Sequence, residues 1–267
     1  VFLLLFTYWP VVQVTWASLS VPSGFGLGNY LRLAGDPHFV TAARNNFFYA
    51  VGTIVPSLAL ALAFAVALAD SGRFNAVLRT ILVFPLLIPL VAAASLFIFI
   101  MLPGEGLLDS WLAWAGLAQT NWLGDPDLAL LSIIAITVWK NVGYYMLFFL
   151  AGLQGVPADL HEAARLENAS AWQRFSRITW PLLRPTTAFV LVIAAMNVLT
   201  QVDHIVVMTQ GGPSDSTNML LYYIYQQAEQ NNDHGLAAAA TVVSVAVLLA
   251  ISLVSLRSLE RGIHYES

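Results

Sequence analysis

The residues best suited to chemistry lie between Val156 and Pro181, VPADLHEAARLENASAWQRFSRITWP, where three acids and three arginines interrupt long apolar runs. Asp159 with Glu162, and Ser170 with Gln173, each match the spacing at which a capping side chain and the third helical residue bond one another's backbone amides. Two short helices are predicted, joined by a turn at Asn168-Ala169-Ser170. Pro157 punctuates the first. Pro181 is expected to end the second, because it has no amide hydrogen and clashes with the preceding turn. Leu160, Ala163, Ala164 and Leu166 give the first helix a small apolar face. Trp172, Phe175 and Ile178 recur at every third position of the second, with Arg174 and Arg177 between them. The chemistry implied is recognition: small alanines admit a partner's surface closely, while the aromatic stripe is expected to anchor the pair to the protein's own helices.

A second set lies inside apolar segments. A lysine in mid-membrane costs on the order of 3 kcal/mol or more unless paired or hydrated, and Lys140 occupies such a place. With Asn141 and Tyr144 nearby it could meet a polar or anionic solute in a water-filled cavity, or it could form an ion pair with Asp203. Asn197 and Gln201 share a helix face, as do Thr200 and His204; such residues line a pathway or bond between helices. Lys140, Asn141, Tyr144, Asn197, Gln201 and Asp203 are assigned to a substrate pathway. Asp203 and His204, being adjacent, do not face each other, which speaks against proton coupling. The sequence has no metal cluster, paired catalytic carboxylates, nucleophile triad, GxxxxGK[ST] phosphate loop or nucleic-acid-binding stripe. The absence of cysteine removes disulfides, haem attachment and thiolate metal sites.

The elements that must position these residues are transmembrane helices. The 267 residues are 58% hydrophobic and 10% charged, with a mean hydropathy of +0.73, against about 25% charged residues in a soluble domain. Six stretches approach the roughly 20 apolar residues that cross a bilayer: Val1–Leu19, Asn46–Ala69, Val77–Leu102, Leu128–Leu150, Leu182–Met208 and Leu236–Leu256. Period-2 alternation is absent, which speaks against a membrane β-barrel. The first stretch starts without a methionine and is expected to be trimmed; without a basic flank or cleavage site it does not read as a signal peptide. Eight of the eleven basic residues fall near Arg73 and Arg79, around Arg165 to Arg184, and after Arg257. The positive-inside rule then places both chain ends and the Val156–Pro181 loop in the cytoplasm. The chain reads as one all-α transmembrane domain, 1–267. On the outside, Trp111, Trp114 and Trp122 fit a helix at the headgroup level. Pro85 and Pro89 either kink the third span where a pathway opens or are tolerated packing irregularities.

Glu162-Ala163-Ala164, Ile178 and Pro181 resemble, in register, the EAA loop of binding-protein-dependent ABC importers, whose pattern is Glu-Ala-Ala, three residues, Gly, nine residues, Ile-x-Leu-Pro. Asn168 stands for the glycine and Trp180 for the leucine. Asparagine is the next-best residue for a left-handed helix terminus, so the turn stays feasible. Gly28-Asn29-Tyr30, and Thr209-Gln210-Gly211-Gly212-Pro213 with Thr217 and Tyr222–Tyr225, look like the carbohydrate-uptake branch, most like the first permease subunit of sugar or glycerol-phosphate importers. The resemblance implies a type I permease fold with six spans and a coupling loop, 155–181, that places Glu162, Ala163, Ala164, Arg165, Asn168 and Pro181 against an ATPase. Glu162 would transmit ATPase closure; the bland alternative is an ordinary acid near a helix N-terminus. Arg165, Arg174 and Arg177 would pair with the ATPase or merely enforce topology. The implied partners are a second homologous permease, two ATPase subunits carrying ATP and Mg, an external binding protein and the bilayer of a bacterial or archaeal cell membrane, with no nucleic acid. No cofactor is expected on this chain, which is a transport subunit rather than an enzyme. A glycerol phosphate or glycerophosphodiester is favoured over a sugar because of Lys140. The alternatives are a sugar importer of the same family and an ion-coupled secondary transporter.

Overall fold

The computed structural model describes residues 4–21 and 24–262. In chain order its helices are α1 (Trp9–Leu19, entered through a π turn at Leu4–Tyr8), α2 (Gly28–Gly35), α3 (Pro37–Ala67), α4 (Arg73–Leu87), α5 (Leu90–Ile100), α6 (Leu107–Trp114), α7 (Pro126–Gln154), α8 (Ala158–Leu166), α9 (Ala171–Arg174), α10 (Trp180–Thr200), α11 (Asp203–Met208), α12 (Leu220–Tyr225) and α13 (His234–Gly262). Two-residue strands β1 (Ser20–Val21) and β2 (Gly24–Phe25) pair antiparallel after α1. Among the described residues, α3, α7 and the run Ala171–Met208 are each long and apolar enough to cross a membrane. The pair α4 and α5, parted by a break at Ile88-Pro89, passes the same test when taken together. The described apolar part of α13, His234–Ala250, is shorter.

The chain divides into two compact units, neither of them contiguous in sequence. The first comprises Val1–Val51, Leu90–Ile134 and Met196–Ala250. Its core gathers Leu33, Ala42, Tyr223, Leu236, Ala239 and Ala240, with Tyr30 and Phe39 against them. The Gly28-Asn29-Tyr30 motif fastens α1 to α2. Asn29 donates to the carbonyls of Ser18 (3.1 Å) and Ser20 (2.8 Å), which the end of α1 leaves without helical partners, and Tyr30 shares a 2.8 Å hydrogen bond with Ser18. Gly235 belongs to the same joint: a Cβ there would sit 2.8 Å from the Asn29 amide nitrogen.

The second unit comprises Gly52–Pro89, Ala135–Ala195 and Ile251–Ser267. Ala61, Ala65, Tyr145, Met146, Phe149, Val190 and Ala194 form its core. Small residues let helices approach closely, as is usual where lipid removes the hydrophobic drive for packing. A Cβ at Gly143 of α7 would overlap the carbonyl of Leu82 on α4, and one at Gly152 would lie 2.7 Å from Thr186 Oγ1 on α10. Arg79 donates to the carbonyl of Leu68 and, at 2.8 Å, to that of Asp70, so a basic side chain covers the orphan carbonyls after α3.

Candidate functional site

The Val156–Pro181 loop folds as two helical pieces with a fixed joint. α8 begins one residue before Asp159, with Pro157 at the capping position and no side-chain cap. The expected Asp159–Glu162 box is therefore not formed. Pro157 has already set the entry geometry, and Asp159 in the first turn acts only on the helix dipole. The far end follows the local sequence closely. Asn168 is left-handed (φ 56°). The amides of Asn168 and Ala169 donate to the carbonyls of Arg165 (3.0 Å) and Ala164 (2.9 Å), the paired bonds of a Schellman terminus. Ser170 then opens α9 with a complete capping box: Gln173 N donates to Ser170 Oγ at 3.2 Å, and Ser170 N to Gln173 Oε1 at 2.7 Å. Arg174 closes the joint by donating to the Ala169 carbonyl at 2.7 Å.

Pro181 does not end the second helix. A π turn at Phe175–Thr179 follows α9 and passes into α10, which contains Pro181. The wider turn gives the pyrrolidine ring room beside the preceding carbonyls, which is how helices absorb such residues.

No residue of α8 is buried. Glu162, Ala163, Arg165 and Asn168 are exposed, while Ala164 and Pro181 are half-buried. Leu166 is 86% exposed and Trp172 72%. The aromatic stripe thus splits, contrary to its expected anchoring role. Phe175, 5.7 Å from the Trp172 ring and 6.5 Å from that of Trp180, and Ile178 are half-buried, but Trp172 points away from the packed helices. The result is a pre-shaped surface with apolar points at Leu160, Leu166 and Trp172 and charges at Glu162 and Arg165. Such a surface can seat a partner without first being ordered, because its turn and caps are already made.

The pathway residues fall into two groups, one in each unit. On α7, Lys140 and Asn141 are buried and Tyr144 is half-buried, its ring 5.1 Å from that of Phe148. Lys140 is 8% exposed and donates to the carbonyls of Pro85 (3.1 Å) and Ile88 (2.5 Å). Its hydrogen-bond partners are therefore carbonyls, not the Asp203 carboxylate that the sequence offers as one of two alternatives for it. Two hydrogen bonds from a charged donor, about 1.5–3 kcal/mol each, are of the size needed to offset the roughly 3 kcal/mol cost of a lysine in mid-membrane. In the other unit, Asn197 is half-buried on α10, Gln201 sits in the break before α11 with its amide on the Asn197 carbonyl (3.0 Å), and Asp203 is exposed.

His204, read from the sequence as lining a pathway or bonding between helices, does the latter, and Asp109 emerges as an organising residue that sequence reading missed. His204 is fully buried, its Nε2 3.0 Å from the buried Tyr49 hydroxyl. Asp109 is buried and accepts from Gly104 N (2.8 Å), Trp122 Nε1 (2.9 Å) and, more weakly, Thr120 N (3.3 Å). The Gly104 amide, with the Trp122 indole and Thr120 amide, holds that carboxyl below its ordinary range against the opposing effect of burial. Trp122 consequently leaves the expected interfacial set, whereas Trp111 and Trp114 stand exposed on α6. No sequence signal pairs Asp109 with Trp122, because the contact depends on how the loop closes.

The fold defines the class first. The chain superposes on a chain of a bacterial alginate ABC transporter crystallised with an alginate pentasaccharide-bound periplasmic protein, with a TM-score of 0.86 over 95% of this chain and 88% of that one at 24% identity. A second alginate-importer structure gives a TM-score of 0.88 at 23% identity, covering 97% and 91% of the two chains. This is the fold of a type I ABC importer permease. Residues 57–265 match the family of binding-protein-dependent transport system inner membrane components, and the chain belongs to that family. It is 33% identical to the probable ABC transporter permease protein YurN of Bacillus subtilis, covering 97% of this chain and 92% of that protein. It is 30% identical to the sn-glycerol-3-phosphate transport system permease protein UgpA of Agrobacterium fabrum (98% and 92% covered). To the trehalose/maltose transport system permease protein MalF of Thermococcus litoralis it is 31% identical (95% and 88% covered).

Proposed function

We propose that the chain is the six-span permease subunit of an ATP-driven importer in a bacterial or archaeal cell membrane, a single transmembrane domain with both ends and the 155–181 loop in the cytoplasm. A second homologous permease completes the pathway, two ATPase subunits dock on the loops, and an external binding protein delivers the solute. ATP and Mg belong to the ATPase subunits. Glu162, Ala163, Ala164 and Arg165 carry the docking contact, and Asn168 and Pro181 set its geometry. Closure of the ATPases moves α8, turns the cavity outward to receive the solute, and hydrolysis resets it inward. The observation that carries this reading is α8 itself: a helix closed at its far end by a Schellman joint, with no buried residue.

The solute is a glycerol phosphate or a glycerophosphodiester, in keeping with the sn-glycerol-3-phosphate relatives. One observation favours a neutral sugar instead: the Lys140 ammonium already spends two of its three donors on carbonyls. ATPase activity of the reconstituted complex with its binding protein separates the two. Stimulation by glycerol phosphates supports the first reading and stimulation by a disaccharide the second, while activity of the isolated chain in an ion gradient would point to a secondary transporter and refute both.

A further inference from the structure

We infer that Lys140 is a positioning residue of the transport cycle, its ammonium replacing the helix amide that Pro89 lacks and locking the broken end of α4 onto α7. The inference rests on the transport reading above. α4 ends at Leu87, and Ile88 turns extended (φ −81°, ψ 126°), its amide reaching back to the Pro85 carbonyl at 3.2 Å. In an unbroken helix that carbonyl would receive the amide of residue 89, but Pro89 has none. Lys140 donates to that carbonyl beside the Ile88 amide, in place of the missing amide of residue 89, and takes the Ile88 carbonyl as well. A cation there also meets the negative end of the α4 dipole. One helical turn further along α7, on the same face, Gly143 lets the backbone come against the Leu82 carbonyl and Val83 Cα. A charge clamp and a bare glycine thus hold the same stretch of α4. The break is seated on α7 and moves with it, so the lysine sets the rate at which the helices rearrange and does not read the solute.

The test is transport by the assembled complex in proteoliposomes, with Lys140→Gln and Lys140→Arg. Lys140→Gln is expected to lower Vmax about tenfold or more with KM within about twofold, and Lys140→Arg, which keeps a charged donor with several N–H groups, to recover at least about half of the rate. A KM raised about tenfold with Vmax kept would make Lys140 a solute contact and overturn the proposal. So would wild-type kinetics in Lys140→Gln, or an arginine variant no better than the glutamine one. If Lys140→Gln fails to accumulate, Pro89→Ala in the same chain restores an amide for the Pro85 carbonyl and should restore accumulation; continued failure overturns the clamp. If the wild-type complex does not transport, the importer reading fails by itself. The clamp is then judged by melting of the purified chain: a fall of about 5 °C or more in Lys140→Gln, reversed by arginine, supports it, and no fall overturns it.

Discussion

Two polar loops of this molecule use the same local devices to opposite ends. The segment around Thr209–Asn218 bends through left-handed residues at Gln210, Gly211, Ser214 and Asp215, and the Val156–Pro181 loop turns at a left-handed Asn168. In the first, polar groups turn inward. Thr217 and Asn218 are buried, Thr217 Oγ1 lies 2.6 Å from the Gly212 carbonyl, and Asn45 donates to the carbonyls of Asp215 (2.7 Å) and Asn218 (3.0 Å). Gly211 lies against Tyr222, where a Cβ would come within 2.6 Å of the ring. In the second, the turn and the cap of α9 are satisfied, but no residue of α8 is buried. The Thr-Gln-Gly-Gly-Pro segment is thus held by contacts within its own chain, whereas the helix that carries Glu-Ala-Ala has no buried residue.

The largest expected effect breaks the contrast on the open side. Glu162→Lys should leave the protein inserted and normally stable but lower coupled transport by about tenfold or more, as expected when a contact made for turnover is lost; normal transport would remove α8 from the coupling role. On the closed side, Asn45→Ala leaves two carbonyls of the 209–218 loop without their donor. It should cost about 1–3 kcal/mol, read as a lower melting temperature with transport per folded complex little changed. Ser170→Ala removes the capping box and should cost about 1 kcal/mol, again in melting, with Ser170→Asp restoring most of it. Trp172→Ala should change stability by no more than about 0.5 kcal/mol, as for an exposed side chain, while weakening binding of the ATPase in a pull-down titration. A large stability loss there would mean that Trp172 packs on its own chain after all.

A pH prediction sharpens the closed side further. Asp109 is held below its ordinary range by the Gly104 and Thr120 amides and the Trp122 indole, so the unfolded chain binds its proton more readily than the folded one. The stabilisation is fully present above about pH 4, the ordinary aspartate value. It is lost as pH falls below that through the lowered folded value. Asp109→Asn should abolish this part of the acid sensitivity, seen as a flatter melting-temperature profile at low pH.

Much of the site was legible because its determinants are local. Ser170 with Gln173 forms the box their spacing demands, and Asn168 takes the left-handed place that a short polar side chain tolerates. The same reasoning failed where two local rules competed. Pro157 pre-empted Asp159 as the cap, and a π turn carried the helix through Pro181. Neither outcome is encoded in a single spacing; each depends on which backbone solution the adjoining helix imposes.

By itself the sequence determined the helical membrane class, the turn at Asn168 and the cap at Ser170. These follow from hydrophobic length, charge placement and intrinsic backbone preference, all of which act over a few residues or a single span. Only the tertiary structure decided what Lys140 touches, that Asp109 clasps Trp122, and that Tyr49 meets His204 across 155 positions of sequence. In the first case the acceptors are main-chain carbonyls, which every residue carries and no residue type announces. Their availability arises only where a proline has broken a helix and a neighbouring one brings a cation to the gap.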